Sequence, residues 1–179
     1  MNWPTGKYSI IYADPPWQYR VYDKDSDAAH GAATAHYETM APQDIKNLPV
    51  KDIADPKRCA LFLWITMPNL PVGLDVMSSW GFEFVTTAFT WVKLRNGKPF
   101  FGLGHWTRGN PEICLLGRIG KIRRVDKTVE QLIVSPLREH SRKPDEARDR
   151  IVQLMGDLPR IELFARQRVD RWDAWGDEA

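Results

Sequence analysis

Apolar residues fall along this chain in short dense runs separated by polar punctuation, and each run predicts an element. Residues 8–13, 59–66, 84–93, 112–117, 132–134 and 160–164 are rich in apolar or β-branched side chains and mostly lack strict alternation, the pattern of strands covered on both faces. Amphipathic stretches alternate with them, which predicts an α/β layered architecture around a central, largely parallel sheet. Residues 42–48 open with Pro42 at a first-turn position, and residues 69–80 end just before Gly81, so both carry helix boundaries. The clearest helix spans 144–155. Pro144 sits in its first turn, Asp145 and Glu146 complement the dipole, Ala147, Ile151, Val152 and Met155 share a face, and Gly156 follows the end. Residues 18–39 show no period directly after a strand end and are expected to form a mobile lid.

Composition narrows the class without fixing it. With 179 residues, one compact domain over 1–179 is expected. No apolar run approaches the roughly 18 residues that cross a bilayer, and the N-terminus lacks the basic and apolar segments of a secretory signal, so a cytoplasmic protein without membrane contact is expected. Cys59 and Cys114 both lie in apolar runs, which predicts two buried thiols and neither a disulfide frame nor a metal site. Lys and Arg total 25 against 23 Asp and Glu, too even to imply a nucleic-acid partner alone. Eight Trp are the oddity; most should be core, with some left as platforms for a flat ligand.

The sharpest chemistry is in Ile10-Ile11-Tyr12-Ala13-Asp14-Pro15-Pro16-Trp17. A strand ends there in an acid, two prolines and an aromatic, at the carboxyl edge where open α/β sheets collect ligands. Two prolines fix φ, donate no hydrogen bond and hold their carbonyls as rigid acceptors. Asp14 beside the Pro15 carbonyl can accept both hydrogens of a planar amine, and the Trp17 ring can border it; an adenine exocyclic amine fits this description. A polar turn with a packed Trp reads the bare tetrapeptide equally well.

Together with eight further segments, this motif resembles the adenine-N6 methyltransferases typified by the catalytic subunit of the eukaryotic mRNA N6-adenosine methyltransferase, with bacterial and phage relatives. The segments are His36-Tyr37-Glu38-Thr39-Met40, Leu61-Phe62-Leu63-Trp64-Ile65-Thr66, Trp80-Gly81-Phe82 with Trp91-Val92-Lys93, Gly104-His105-Trp106, Glu112-Ile113-Cys114-Leu115-Leu116-Gly117, Ser141-Arg142-Lys143-Pro144-Asp145-Glu146 and Ile161-Glu162-Leu163-Phe164-Ala165-Arg166. The resemblance implies an α/β, Rossmann-like S-adenosylmethionine-dependent methyltransferase fold with permuted motif order, as a minimal single domain. It implies S-adenosylmethionine as cofactor with no metal, and a nucleic-acid partner, DNA favoured over RNA, whose adenine is unpaired or flipped.

The resemblance also distributes roles. Asp14, Pro15, Pro16 and Trp17 become the catalytic set. Asp14, Lys143, Glu162, Leu163, Phe164, Arg166, Arg168, Asp177 and Glu178 become cofactor-binding. Lys143 also stands just ahead of the 144–155 helix, where anions are favoured. Ala165, Arg168-Val169 and Asp177-Glu178 replace a glycine, a His-Asn pair and an Asn-Gln pair of the eukaryotic subunit. Tyr37, His105, Trp106, Arg108, Arg123 and Arg124 are candidates to touch substrate, the last two within a basic run from Arg118 to Lys127. A homodimer or partner subunit would extend so small a recognition surface. An RNA methyltransferase, a non-catalytic partner subunit and a protein or small-molecule N-methyltransferase are the competing readings.

Overall fold

The computed structural model describes residues 2–18, 39–102, 104, 106–138 and 142–176. Within them the chain builds one mixed eight-stranded sheet in the order β4-β3-β5-β2-β1-β7-β8, with β6 paired to β3. The strands are β1 (Ile10–Ala13), β2 (Arg58–Ile65), β3 (Glu83–Arg95), β4 (Lys98–Pro99), β5 (Glu112–Gly120), β6 (Leu132–Pro136), β7 (Arg160–Leu163) and β8 (Asp173–Trp175). Helices α1 (Pro42–Asn47), α2 (Val50–Ile53), α3 (Leu70–Ser79) and α4 (Glu146–Met155) flank it. None of these helices is long and apolar enough to cross a membrane.

All six predicted strands are present, five within two residues at their ends and β5 running three residues beyond its expected end. β1 and β7 are buried at every position, because β1 lies parallel between β2 and β7 and both faces are covered. Alternation divides the core in two. Ile11, Ala13, Leu61, Leu63 and Ile65 pack with Ile45, Val50, Ile53, Val76 and Met77 from α1, α2 and α3. Ile10, Tyr12, Ala60, Phe62 and Trp64 pack with Phe89, Trp91 and the α4 residues Ala147, Ile151 and Met155. α3 approaches the sheet through Gly73, where a Cβ would come within 2.6 Å of Ile65 Cγ2, so a larger residue would push the helix off.

The expectation of a largely parallel sheet is corrected on one side. β5 runs antiparallel to both β2 and β3. The cause is local: Asn96 (φ 52) and Gly97 (φ 72) form a left-handed two-residue turn that folds β3 onto β4, and such a turn reverses the chain without a crossover helix. The predicted 144–155 helix begins at Glu146, with Pro144 and Asp145 ahead of it and Gly156 (φ 84) at its end. Arg148 joins its buried face. β8 and α2 were not expected; each is too short to carry a period. Cys59 and Cys114 are buried free thiols. Five tryptophans are buried, Trp17, Trp64, Trp80, Trp91 and Trp172, whereas Trp106 is fully exposed.

Candidate functional site

The parallel strands bring one set of ends together. Ala13 stands level with Leu63 on β2 and Leu163 on β7, so Asp14 leaves β1 where β2 and β7 also end. β5 enters the sheet from that same edge, and its first residue, Glu112, lies opposite Trp91, two positions before Lys93 on β3. Lys143 arrives there from the segment ahead of α4. Four charged groups therefore meet at the carboxyl edge. Lys143 Nζ lies 2.8 Å from Asp14 Oδ2 and 3.1 Å from Glu112 Oε2, and Lys93 Nζ pairs with Glu112 Oε1. The Lys143, Asp14, Glu112 and Lys93 side chains are only 10%, 19%, 6% and 15% exposed, so water screens them weakly. Both ammonium groups also lie over aromatic rings, Lys143 over Trp64 at 5.8 Å and Lys93 over Trp91 at 5.3 Å.

Burial and pairing oppose each other here. Burial raises the Asp14 carboxyl above its usual value, helped by the Glu112 charge and opposed by Lys143 and Arg166. Glu112 is also desolvated, but Lys143 and Lys93 together hold it below its usual value. For Lys143 the two carboxylates outweigh burial and push the ammonium up, so it stays charged. Asp14 is thus a carboxylate of raised proton affinity clamped by a permanent cation.

The two prolines shape the adjoining acceptors. The Trp17 amide donates to the Pro15 carbonyl at 2.8 Å, and the Met40 amide donates to the Pro16 carbonyl at 3.0 Å. One lone pair of each oxygen is taken and one is left. The Trp17 indole donates to the Trp64 carbonyl at 2.9 Å, and its ring is buried in the core, so it fixes the turn from below more than it offers an open face.

The expected cofactor residues divide. Leu163 is buried at the end of β7, and Phe164 follows it with φ 60. Arg166 is close enough to Asp14 to stabilise its charge. Both Glu162 carboxylate oxygens accept from Arg148 in a bidentate pair, Nε to Oε2 at 2.7 Å and Nη2 to Oε1 at 2.8 Å, and Arg148 Nη1 also donates to Asp145 Oδ1 at 2.8 Å. Arg168 lines a shallow cleft with Tyr8, Asp170 and Asp173. Asp177 and Glu178 lie outside the described residues. An α-amino acid end, with its ammonium and carboxylate, fits a carboxylate beside an ammonium, and Asp14 with Lys143 is such a pair; the residues present suit S-adenosylmethionine.

Among the expected substrate residues, Tyr37 and His105 lie outside the described residues, as does nearly all of the expected lid. Trp106 and Arg108 project from the segment that joins β4 to β5. Arg123 and Arg124 are placed elsewhere: they follow Gly120, which pairs with Arg58 at the start of β2, so they lie at the opposite end of the sheet from Asp14, roughly 20 Å along the strands. The basic run is also tied down there, with Arg118 paired to Glu83 and the Lys121 amide bonded to the Lys57 carbonyl. Sequence reasoning assigned no role to Glu112, Lys93, Arg148 or Asn110. The one visible signal was Glu112, an acid heading an otherwise apolar strand.

Residues 8–178 match the MT-A70 family. A type II methyltransferase, M.MunI, from a Mycoplasma species is 35% identical over 190 residues, which cover 98% of this chain and 79% of that protein. The human N(6)-adenosine-methyltransferase catalytic subunit METTL3 is 29% identical over 169 residues, 90% of this chain and 26% of that protein. A Drosophila melanogaster N(6)-adenosine-methyltransferase MT-A70-like protein is 30% identical over the same length, with 25% of it covered. The chain thus spans about a quarter of these animal relatives.

Proposed function

The chain belongs to the MT-A70 family, and from that premise we propose that it moves the methyl group of S-adenosylmethionine to the exocyclic N6 amine of adenine in nucleic acid, with DNA preferred. The observation that carries the reading is the position of Asp14 and the Pro15 carbonyl at the end of β1, with Lys143 at 2.8 Å from the carboxylate. S-adenosylmethionine supplies an electrophilic methyl carried on a sulfonium. Asp14 and Lys143 would hold its amino acid end, and Leu163, Phe164 and Arg166 would border it.

What the chain's own residues contribute is orientation and charge. An aryl amine shares its lone pair with the ring and is a weak nucleophile. The Asp14 carboxylate and the free lone pair of the Pro15 carbonyl are two acceptors on a rigid turn; holding both amine hydrogens favours a pyramidal nitrogen with a localised lone pair. The raised basicity of Asp14 strengthens that hold as the nitrogen turns acidic. The Lys143 ammonium keeps the carboxylate in place and fixed in charge, a preorganised field that need not rearrange. An adenine in a duplex cannot reach such an edge, so the base must be unpaired or flipped.

The preference for DNA is supported by the extent of the matches. The likeness runs along 79% of the type II methyltransferase, whereas relatives named for adenosine, a ribonucleoside, share 26% and 25% of their length with this chain. The test is transfer of labelled methyl from S-adenosylmethionine to single-stranded DNA, duplex DNA and RNA, read by nucleoside mass spectrometry, with Asp14→Ala alongside. N6-methyladenine is expected from the wild type, most on DNA, with a loss of at least about a hundred-fold in the variant. Saturable cofactor binding with no transfer to any polymer would refute the reading.

A further inference from the structure

The segment between β3 and β5 has a charge and shape that the catalytic edge does not use. From residue 84 to residue 111 the sequence contains no Asp or Glu but contains Lys93, Arg95, Lys98 and Arg108. Lys93 is spent on Glu112. Arg95, Lys98 and Arg108 are exposed, and among the described residues none of them pairs with a carboxylate. Aromatic rings are interleaved with these cations. The Arg95 guanidinium lies 4.1 Å from the Phe100 ring centre and that of Arg108 lies 5.9 Å from the Phe101 ring centre. Phe101 is 47% exposed and Trp106 is 101% exposed, so a tryptophan ring stands wholly in water on this limb.

The limb is built to hold that shape. Its base is clamped by the buried Asn110 side chain, whose Oδ1 accepts the Lys93 amide at 2.9 Å and whose Nδ2 donates to the carbonyls of Lys93, at 2.9 Å, and Phe100. Further out, the Gly102 amide donates to the Gly109 carbonyl at 2.7 Å, and Arg108 Nη2 donates to the Phe101 carbonyl at 2.9 Å. Gly104 has φ 65, and a Cβ there would lie 1.9 Å from the Thr107 carbonyl oxygen, so that position admits only glycine. The clamp shares Lys93 with the charged cluster: the backbone that Asn110 grips carries the ammonium that pairs with Glu112. The limb therefore rises from the wall of the site.

We infer that this limb is the platform for the single-stranded nucleic acid flanking the target adenine, with Trp106 stacking on a neighbouring base and Arg95, Lys98 and Arg108 meeting phosphates. The inference rests on the proposed nucleic-acid methylation and gives it a binding surface. Exposed aromatics among unpaired cations are the means by which proteins hold single strands without reading sequence, since every base presents a π-face. The bonds that hold Gly102, Arg108, Gly109 and Asn110 in place reduce the entropy lost when a strand lands on them. The absence of acid over this stretch removes the repulsion that a polyanion would meet on a mixed surface.

The test uses a fluorescein-labelled single-stranded DNA containing one adenine, with affinity read by anisotropy at several salt concentrations and methyl transfer measured on the same oligonucleotide. Trp106→Ala is expected to weaken binding roughly tenfold, within a range of about 5- to 100-fold, and Trp106→Phe to restore most of it. Replacing Arg95, Lys98 and Arg108 together by Gln is expected to flatten the dependence of log K on log salt by about 2, near 0.7 per lost phosphate contact. Affinity for S-adenosylmethionine, measured by calorimetry, should stay within about twofold in every variant. A wild type that binds and methylates DNA while Trp106→Ala and the triple variant match it would overturn the platform and leave the methylation intact. Trp106→Ala converting a sedimenting dimer to monomer, with DNA affinity unchanged, would assign the limb to a second copy of the chain instead. A wild type that methylates no nucleic acid would remove both readings.

Discussion

Lys143→Met is the sharpest probe of the charged cluster, because it removes the ammonium that two buried carboxylates share. At an effective dielectric of about 20, its attraction to Asp14 at 2.8 Å is ~6 kcal/mol and to Glu112 at 3.1 Å is ~5 kcal/mol. Desolvating the ammonium offsets much of this, and the net cost of breaking a buried pair is about 3–5 kcal/mol. That is a large part of the 5–15 kcal/mol that stabilises a typical domain. The pH dependence carries the diagnosis. In the wild type, Glu112 is held below its usual value, so its stabilisation is present above about pH 4.5 and is lost as pH falls through its folded value. Lys143 is raised, so its share is present below about pH 10.5 and is lost only as pH rises through its folded value. In Lys143→Met Glu112 keeps Lys93 and Asp14 keeps Arg166, but both lose Lys143, so both carboxylates move up and protonating them relieves the variant. The gap between wild type and variant should therefore be largest at pH 8 and shrink toward pH 5. Urea unfolding followed by far-ultraviolet circular dichroism at pH 5, 6.5 and 8, at constant ionic strength, measures it. A gap below about 1 kcal/mol at pH 8, or one unchanged at pH 5, would refute the account.

Two further outcomes are expected from groups outside the charged cluster. Burial pushes the Cys59 thiol up to about 12 and the Cys114 thiol well above its usual value, so neither should react with a thiol reagent at pH 8 until denaturant is added; rapid release of a chromophore from the native protein would contradict the packing. The Tyr8 hydroxyl donates to Asp173 Oδ2 at 2.6 Å, joining the segment before β1 to β8, and burial with this bond raises Tyr8 to about 12. Tyr8→Phe should cost about 1 kcal/mol at pH 7, and because a raised group stabilises below its unfolded value near 10, the difference should fade between pH 10 and 12. Thermal melts of the two proteins across that range test it, and a constant difference would count against the bond.

The features legible in the sequence are those whose cause is local. Strands such as Ile10–Ala13 and Arg58–Ile65 show as apolar runs because both faces are covered, and α4 shows because its own residues mark its start and its stop at Gly156. The turn at Asp14 was readable because two prolines impose it whatever surrounds them. The direction of β5 was not, since a buried strand carries the same run of side chains in either orientation. Nor was the cluster: Lys143 and Asp14 are 129 residues apart in the chain and Lys93 and Glu112 are 19 apart, and only the strand order makes them neighbours. Arg123 and Arg124 show the converse, a basic run that topology carries to the far end of the sheet. Charge balance behaves the same way. The near-even total of 25 against 23 did not by itself imply a polyanionic partner, yet the acids are withdrawn from residues 84–111, and among the described residues Arg95, Lys98 and Arg108 stand there without a carboxylate partner, beside the charged cluster. What a polyanion meets is this local separation of charge, which a sum over the chain cannot express.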